Sequence, residues 1–164
     1  MPPLRLIWPV ALAAAVIGLS AAAQEATSAP EHDTAWHNQQ ALALASRQAS
    51  DGWRYLPGGA LWRRVAGPGT GAHPSVNDTV TVNYAGTFID GETFDSSFDR
   101  HEPATFPLHG LIPAWQEAIP QMGLGDTIEL AAPADLAYGP EGRGPIPGGA
   151  TLLFKIELLA IPSR

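Results

Sequence analysis

The chain contains no cysteine among its 164 residues. That excludes a disulfide, a thiolate nucleophile, a cysteine metal centre and a lipid attached through cysteine. Basic residues are few: nine Lys and Arg stand against sixteen Asp and Glu, for a formal net charge of -7. They are scattered and form no basic patch, which argues against a nucleic-acid partner. The acidity serves solubility. Long apolar runs are scarce, and the one at residues 7–19 is too short to span a membrane comfortably. The histidines His32, His37, His73, His101 and His109 lack the spacing of a zinc site. No Gly-x-Ser-x-Gly, phosphate-binding loop or EF-hand loop occurs. Metal ligation, serine hydrolysis and nucleotide binding therefore have no motif to rest on.

Turn formers are abundant. Seventeen glycines and sixteen prolines predict many short elements joined by turns rather than long helices. At the N-terminus, Arg5, the apolar run 7–19 and Ser20-Ala21-Ala22-Ala23 have the order of a secretory signal peptide with cleavage after Ala23. The expected mature protein is exported, to the periplasm in a bacterium, and keeps no stable membrane insertion. Residues 24–33 read as a flexible arm. Residues 34–50 contain no Gly or Pro and predict one short helix, with Thr34 as N-cap and Asp51-Gly52 as stop. Its apolar stripe is poor. Such a helix either packs on its own domain or pairs two subunits.

The remaining chain alternates between strand patterns and turns. Residues 80–97 put Val80, Val82, Tyr84 and Phe88 on one side and Thr81, Asn83 and Thr87 on the other, the period of a half-buried strand. Asp90-Gly91 is a hairpin signal because both residues tolerate positive φ. The return leg carries Phe94 and Asp95. Residues 55–66 predict a strand pair or one long strand broken at Pro57-Gly58-Gly59. Further strands are expected at 105–108, 126–132 and 151–161. Residues 113–119 predict a helix of about two turns with Pro113 at its first position and Trp115 and Ile119 on one face. A long Gly/Pro loop at 133–149 suits function more than scaffold. Together these elements predict an antiparallel α+β domain over 52–164.

The chemistry left to this chain is aromatic. Tyr84, Phe94, Phe106, Trp115, Tyr138 and Phe154 lie on elements that can converge. Each alone reads as core. Together with Asp95 and the long loop they line a concave apolar pocket with few polar groups. Asp95 and Asp99 form an acid pair in sequence, and Arg100 is their natural partner.

Four segments, VNYAGTFIDGETFDSSFDR (82–100), LIPAWQEAIPQMGLGD (111–126), PADLAYG (133–139) and IPGGATLLFKIELL (146–159), resemble FKBP-type peptidyl-prolyl cis-trans isomerases in order and spacing. The likeness covers most of 70–161. It implies a curved antiparallel sheet wrapped around one short helix, here preceded by a short helical arm, so that 1–23 is signal peptide, 24–51 arm and 52–164 isomerase domain. It implies catalysis of X–Pro rotation on proline-containing polypeptides during folding of exported proteins, without metal or cofactor. Trp115 corresponds to the pocket floor, and Tyr84, Phe94 and Phe154 to its walls, with Phe106 among the substrate contacts. The Ile112 N–H, with Leu111 beside it, and the Tyr138 hydroxyl correspond to groups that bind ligand carbonyls. Asp95 corresponds to the pocket acid and Arg100 to its ion-pair neighbour, and Ile146 to a loop residue over the pocket. Macrolide inhibitors are implied as further ligands. The short arm implies a monomer, with a homodimer through residues 34–50 as the alternative. A binding module or chaperone with little catalysis is the competing function. The chain departs from the family pattern at Ala104, where many members carry phenylalanine, between Phe106 and Ile112, where it is shortened, and at Arg143 and Pro145. Those departures bear on the residue preferred before proline and on macrolide affinity.

Overall fold

Residues 33–162 are described in the computed structural model of the chain. The apolar run 7–19 and the expected cleavage site after Ala23 lie outside them. The alternation that marks residues 80–88 becomes strand β3 (Thr79–Thr87), in which every second residue from Val80 to Gly86 is buried. Such a strand buries one face while its edges still need partners. Strand β7 (Leu152–Ala160) satisfies one edge, antiparallel, from Thr81 to Thr87. Two short strands share the other edge: β4 (Thr93–Ser96) pairs with residues 85–87 and β5 (Ala104–Pro107) with residues 79–82. Beyond β7 the curved sheet continues through β6 (Thr127–Ala132), β2 (Leu61–Ala66) and the two-residue β1 (Arg54–Tyr55).

The concave face holds the core. Val80, Val82, Ile128, Leu130, Leu152, Ile156 and Leu158 are buried there against the short helix α2 (Pro113–Ala118). Ala114 and Ala118 are fully buried, and their small side chains let the helix lie close to the sheet. Trp115 and Ile119 face inward, as the i, i+4 spacing predicts. On the opposite face, Leu61, Ala131 and Trp53 form a smaller apolar cluster with Leu44 and Leu153. The Arg47 and Arg63 guanidiniums each lie 5.0 Å from the Trp53 ring, a cation–π arrangement.

Two local expectations are corrected. Helix α1 (Thr34–Ala45) ends five residues before the expected end at residue 50, and its N-cap is Asp33, whose carboxylate accepts from Trp36 N–H at 2.8 Å. The early end follows from side-chain donors: Ser46 Oγ (3.2 Å) and the Arg47 guanidinium both bind Ala43 O, one of the terminal carbonyls. Gly52 instead closes a separate 3-10 turn, Ala49–Asp51. In the β3–β4 hairpin only Gly91 has positive φ. Phe88 N–H donates to Glu92 O at 2.9 Å and Gly91 N–H to Phe88 O at 3.0 Å. This is a three-residue loop closed by a left-handed glycine rather than a two-residue turn with both residues at positive φ.

Helix α1 is held to the domain by polar contacts more than by an apolar stripe, since Gln40 is its one buried residue. Gln40 Oε1 accepts from Thr151 N–H at 2.9 Å, and Gln40 O accepts from Thr151 Oγ1 at 3.2 Å. A second buried polar centre is Asp126, at 0% exposure. It accepts from Gly69 N–H and Gly123 N–H, each 2.8 Å, and from Arg64 Nε at 2.8 Å. Burial works to raise its carboxyl, but the two backbone donors and Arg64 outweigh that and hold it below the usual carboxylate range. The folded pKa is depressed, so this contribution is present at neutral pH and is lost as pH falls through the acid range. Asp126→Ala leaves three donors unpaired and is expected to cost about 3 kcal/mol in urea unfolding at pH 7. The deficit should shrink as pH falls below about 4, where the unfolded carboxyl protonates before the native one does. A loss under about 1 kcal/mol at pH 7 contradicts that assignment.

Candidate active site

The curvature of the sheet brings aromatic side chains from four separate segments over α2. Trp115 is buried at the bottom. Its indole meets Tyr84 at 5.3 Å and 79°, Phe154 at 5.5 Å and 87°, and Phe106 at 6.5 Å and 76°. Phe94 closes the ring by packing edge-on to Phe154 at 5.9 Å. These near-perpendicular pairs suit aromatic quadrupoles and contribute about 0.5–1.5 kcal/mol each beyond area burial. The Trp115 Nε1–H is buried and has no hydrogen-bond partner among the described residues. Trp115 belongs to the buried apolar cluster, so the floor is apolar.

Above this floor lies a cavity of about 310 Å³. Tyr84, Phe94, Asp95, Phe106, Leu111, Ile112, Trp115, Tyr138, Arg143 and Phe154 line it. Of the residues expected at a site, two do not line it. Arg100 stands behind the wall, paired with Asp95. Ile146 is buried at 7% exposure in the main core cluster.

Several devices hold the wall in shape. Ser97, fully buried, accepts from Tyr84 N–H at 2.8 Å through its hydroxyl, while Ser97 N–H donates to Tyr84 O at 2.8 Å. This extends the β3–β4 pairing beyond the last ladder residue and pins the Tyr84 backbone. Gln116 Nε2 donates to Leu111 O at 2.7 Å and His109 O at 3.2 Å, fixing the turn that enters α2. Pro113 at the first helical position needs no donor. The Ile112 N–H and the Tyr138 hydroxyl have no hydrogen-bond partner among the described residues, and both residues border the cavity. They are two donors available to a ligand.

Gly86 is a site residue that the sequence motifs did not single out. A Cβ there would lie 2.5 Å from Phe94 Cζ and 3.1 Å from Phe154 Cε1. Its absence lets both rings close over the strand. The available signal was a glycine inside an otherwise regular strand, which marks a close approach. Arg143, named from the sequence as a departure from the family pattern, also lines the cavity.

The polar side of the cavity is one network. Tyr84 Oη donates to Asp95 Oδ2 at 2.5 Å, Arg100 Nη2 donates to Tyr84 Oη at 3.1 Å, and Arg100 Nη1 pairs with Asp95 Oδ1. Partial burial works to raise the Asp95 carboxyl. Hydrogen bonds from Tyr84 and Arg100, with the Arg100 charge, outweigh it and hold Asp95 below the usual carboxylate range. Burial, then donation to Asp95, pushes the Tyr84 phenol up, with Arg100 opposing. The Arg100 guanidinium is raised by its bonds to Asp95 and Tyr84. Asp95 and Arg100 side chains are nearly half exposed, so the ion pair adds little stability. Its effect is orientation: Tyr84 is fixed at both its backbone and its hydroxyl.

Comparison with known proteins agrees with this geometry. The family described as FKBP-type peptidyl-prolyl cis-trans isomerase matches residues 71–159. The FKBP-type peptidyl-prolyl cis-trans isomerase FkpA of Aeromonas hydrophila is 47% identical over 118 residues, 72% of this chain and 44% of that protein. The outer membrane protein MIP of Legionella longbeachae is 46% identical over 119 residues, 72% of this chain and 51% of that protein. The crystal structure of a peptidyl-prolyl cis-trans isomerase from Pseudomonas syringae pv. tomato has a TM-score of 0.73 at 34% identity, covering 82% of this chain and 98% of that one. The chain belongs to the FKBP-type peptidyl-prolyl cis-trans isomerase family. It spans about half the length of the curated relatives it matches.

Two expectations follow. The site keeps one charge state, Asp95 ionised and Tyr84 protonated, from about pH 5 to about pH 9. The Tyr84 ring chemical shifts should therefore stay level across that window and move only as Asp95 protonates at lower pH; a titration of those shifts centred near neutrality contradicts the network. Gly86→Ala should overpack the wall at a cost of about 1–3 kcal/mol in chemical unfolding. It should also displace the Phe94 ring, which that ring's chemical shifts report. Unchanged stability and shifts would show that the rings have slack.

Proposed function

We propose that the protein is a peptidyl-prolyl cis-trans isomerase acting on exported polypeptides. The observation that carries the proposal is the apolar cavity floored by Trp115, with Ile112 N–H and Tyr138 Oη as free donors at its border. A proline ring fits an apolar aromatic floor, and the carbonyls flanking it accept from the two donors. In this reading Tyr84, Phe94, Asp95, Trp115, Tyr138 and Phe154 carry catalysis, while Leu111, Ile112, Phe106 and Arg100 bind or support the substrate. Ile146 supports the loop from its place in the core.

The energetics suit such a site. Rotation about an X–Pro bond has a barrier of about 18–20 kcal/mol and takes roughly tens to hundreds of seconds uncatalysed. Turnover of about 10²–10³ per second needs about 5–7 kcal/mol of transition-state stabilisation. No covalent bond is made or broken, so no nucleophile or cofactor enters. Twisting the amide ends its resonance and reduces its charge separation. A water-poor pocket favours that twisted state over the planar one. The donors from Ile112 and Tyr138 hold the flanking carbonyls, which converts binding into orientation. Asp95 orients Tyr84 and transfers no proton.

The wider reading places a cleaved signal peptide at 1–23, an arm at 24–51 and the isomerase domain at 52–164, in a periplasmic protein. The order of charge, apolar run and small residues at 5–23 supports export, as does the outer-membrane designation of a relative. Among the described residues no helix is long and apolar enough to cross a membrane. The bonds from Gln40 to Thr151 tie α1 to its own domain and support a monomer over pairing through that helix. Macrolides are proposed as competing ligands of the same cavity.

The test is cis-to-trans isomerisation of short X–Pro peptides by the purified protein, with Trp115→Ala as control. Acceleration that falls at least about tenfold in the folded variant, a loss of about 1.4 kcal/mol, is the expected result. No acceleration across several X residues by the folded wild type would move the reading to a binding module.

A further inference from the structure

A larger hollow lies on the other side of the Phe94 ring. It has a volume of about 430 Å³ and is walled by Trp36 of α1, Phe88, Phe94, Pro145 and Pro147. Phe94 also lines the proline cavity, so the two hollows share one ring. Ring-to-ring steps of 5.1 Å from Phe88 to Phe94, 5.9 Å to Phe154 and 5.5 Å to Trp115 join them. At about 3.3–3.6 Å per extended residue, no more than about five residues of a bound chain separate the groove from the proline.

The groove has a definite charge. Asp90 and Glu92, both exposed at the hairpin tip, line its edge, and no lysine or arginine does. Asp90 Oδ1 accepts from Glu92 N–H at 2.9 Å. Neither carboxylate takes part in a salt bridge among the described residues. Two uncompensated carboxylates thus border a surface of aromatic and proline rings. A lysine or arginine matches both, with its stem along the rings and its charge at the acids. The opposite wall is held in place, because Gln40 of α1, which also lines the groove, is bonded to Thr151. A Cβ on Gly149 would lie 3.4 Å from Trp36 and 3.2 Å from His37, so the helix sits directly on the loop.

We propose that this groove, built by α1, the β3–β4 hairpin tip and Pro145–Pro147, is a second subsite for the same polypeptide. It takes the stretch flanking the proline and selects a basic side chain within about five residues of it. The inference rests on the isomerase reading and adds a substrate class to it. The arm helix thereby becomes part of the substrate surface.

The test compares proline peptides carrying Lys, Gln or Glu at positions three to five, on each side of the proline in turn. Isomerisation is measured on the wild type and on Asp90→Asn/Glu92→Gln, which keeps the turn acceptor at Asp90. Wild-type kcat/KM should rank Lys above Gln above Glu on one side of the proline only. Each step should be about two- to five-fold, the scale of exposed ion pairs. The ranking should collapse in the variant and between about 20 mM and about 500 mM salt. Equal values for the three peptides, or a ranking that survives the variant, overturns the groove while leaving the isomerase reading intact. If no peptide is isomerised, the isomerase reading fails and fluorescence polarisation of the labelled Lys peptide still decides. Weaker binding to the variant supports the groove, and equal binding overturns it.

Discussion

The structure depends on the anchoring of one residue, Tyr84, in the middle of β3, the strand with one long neighbour on one edge and two short neighbours on the other. The long strand β7 fixes β3 in the sheet, while the short β4 and β5 share its other edge. Between those two short strands the chain must leave the sheet. The departure lies at Ser97, whose backbone and hydroxyl together satisfy both polar groups of the Tyr84 backbone. The same turn region supplies Asp95 and Arg100, which hold the Tyr84 hydroxyl. One tyrosine is thus fixed at its main chain and at its tip. Its ring then serves as a rigid wall against Trp115.

That rigidity is what the proposed chemistry asks of the protein. Bond rotation in the substrate requires shape, dryness and two fixed donors rather than a proton relay. The Asp95 and Tyr84 shifts point in opposite directions and keep the charged partner charged and the phenol neutral. A site tuned for general acid–base work would bring a pKa towards neutrality. This one moves both away from it. The aromatic contacts likewise favour a preformed cavity, since Trp115 has three ring neighbours already in place before any ligand arrives.

Much of this was legible in the sequence because the informative patterns are local. Period-two alternation marks β3, β6 and β7, and Pro113 with Trp115 and Ile119 marks α2 and its inward face. The motifs around Tyr84, Asp95 and Trp115 placed most of the cavity lining. What remained hidden depends on residues far apart in the chain. The Asp126 centre joins Gly69, Gly123 and Arg64, and Gln40 reaches Thr151; neither pairing has a periodicity. The end of α1 was misplaced because Ser46 and Arg47 side chains terminate it early, a competition that propensity does not register. Asp90-Gly91 located the hairpin, but not its conformation, because Asp-Gly also suits a three-residue loop in which the aspartate keeps negative φ and only the glycine turns left-handed.

The most direct test of the central claim, that the proline ring sits on Trp115, is intermolecular NOE measurement on a saturated complex with a short X–Pro peptide. The account predicts contacts from the proline ring protons to the Trp115 indole and to the Tyr84 and Phe154 rings. Proline contacts confined to Trp36, Phe88 or other surface residues, with none to Trp115, would contradict it.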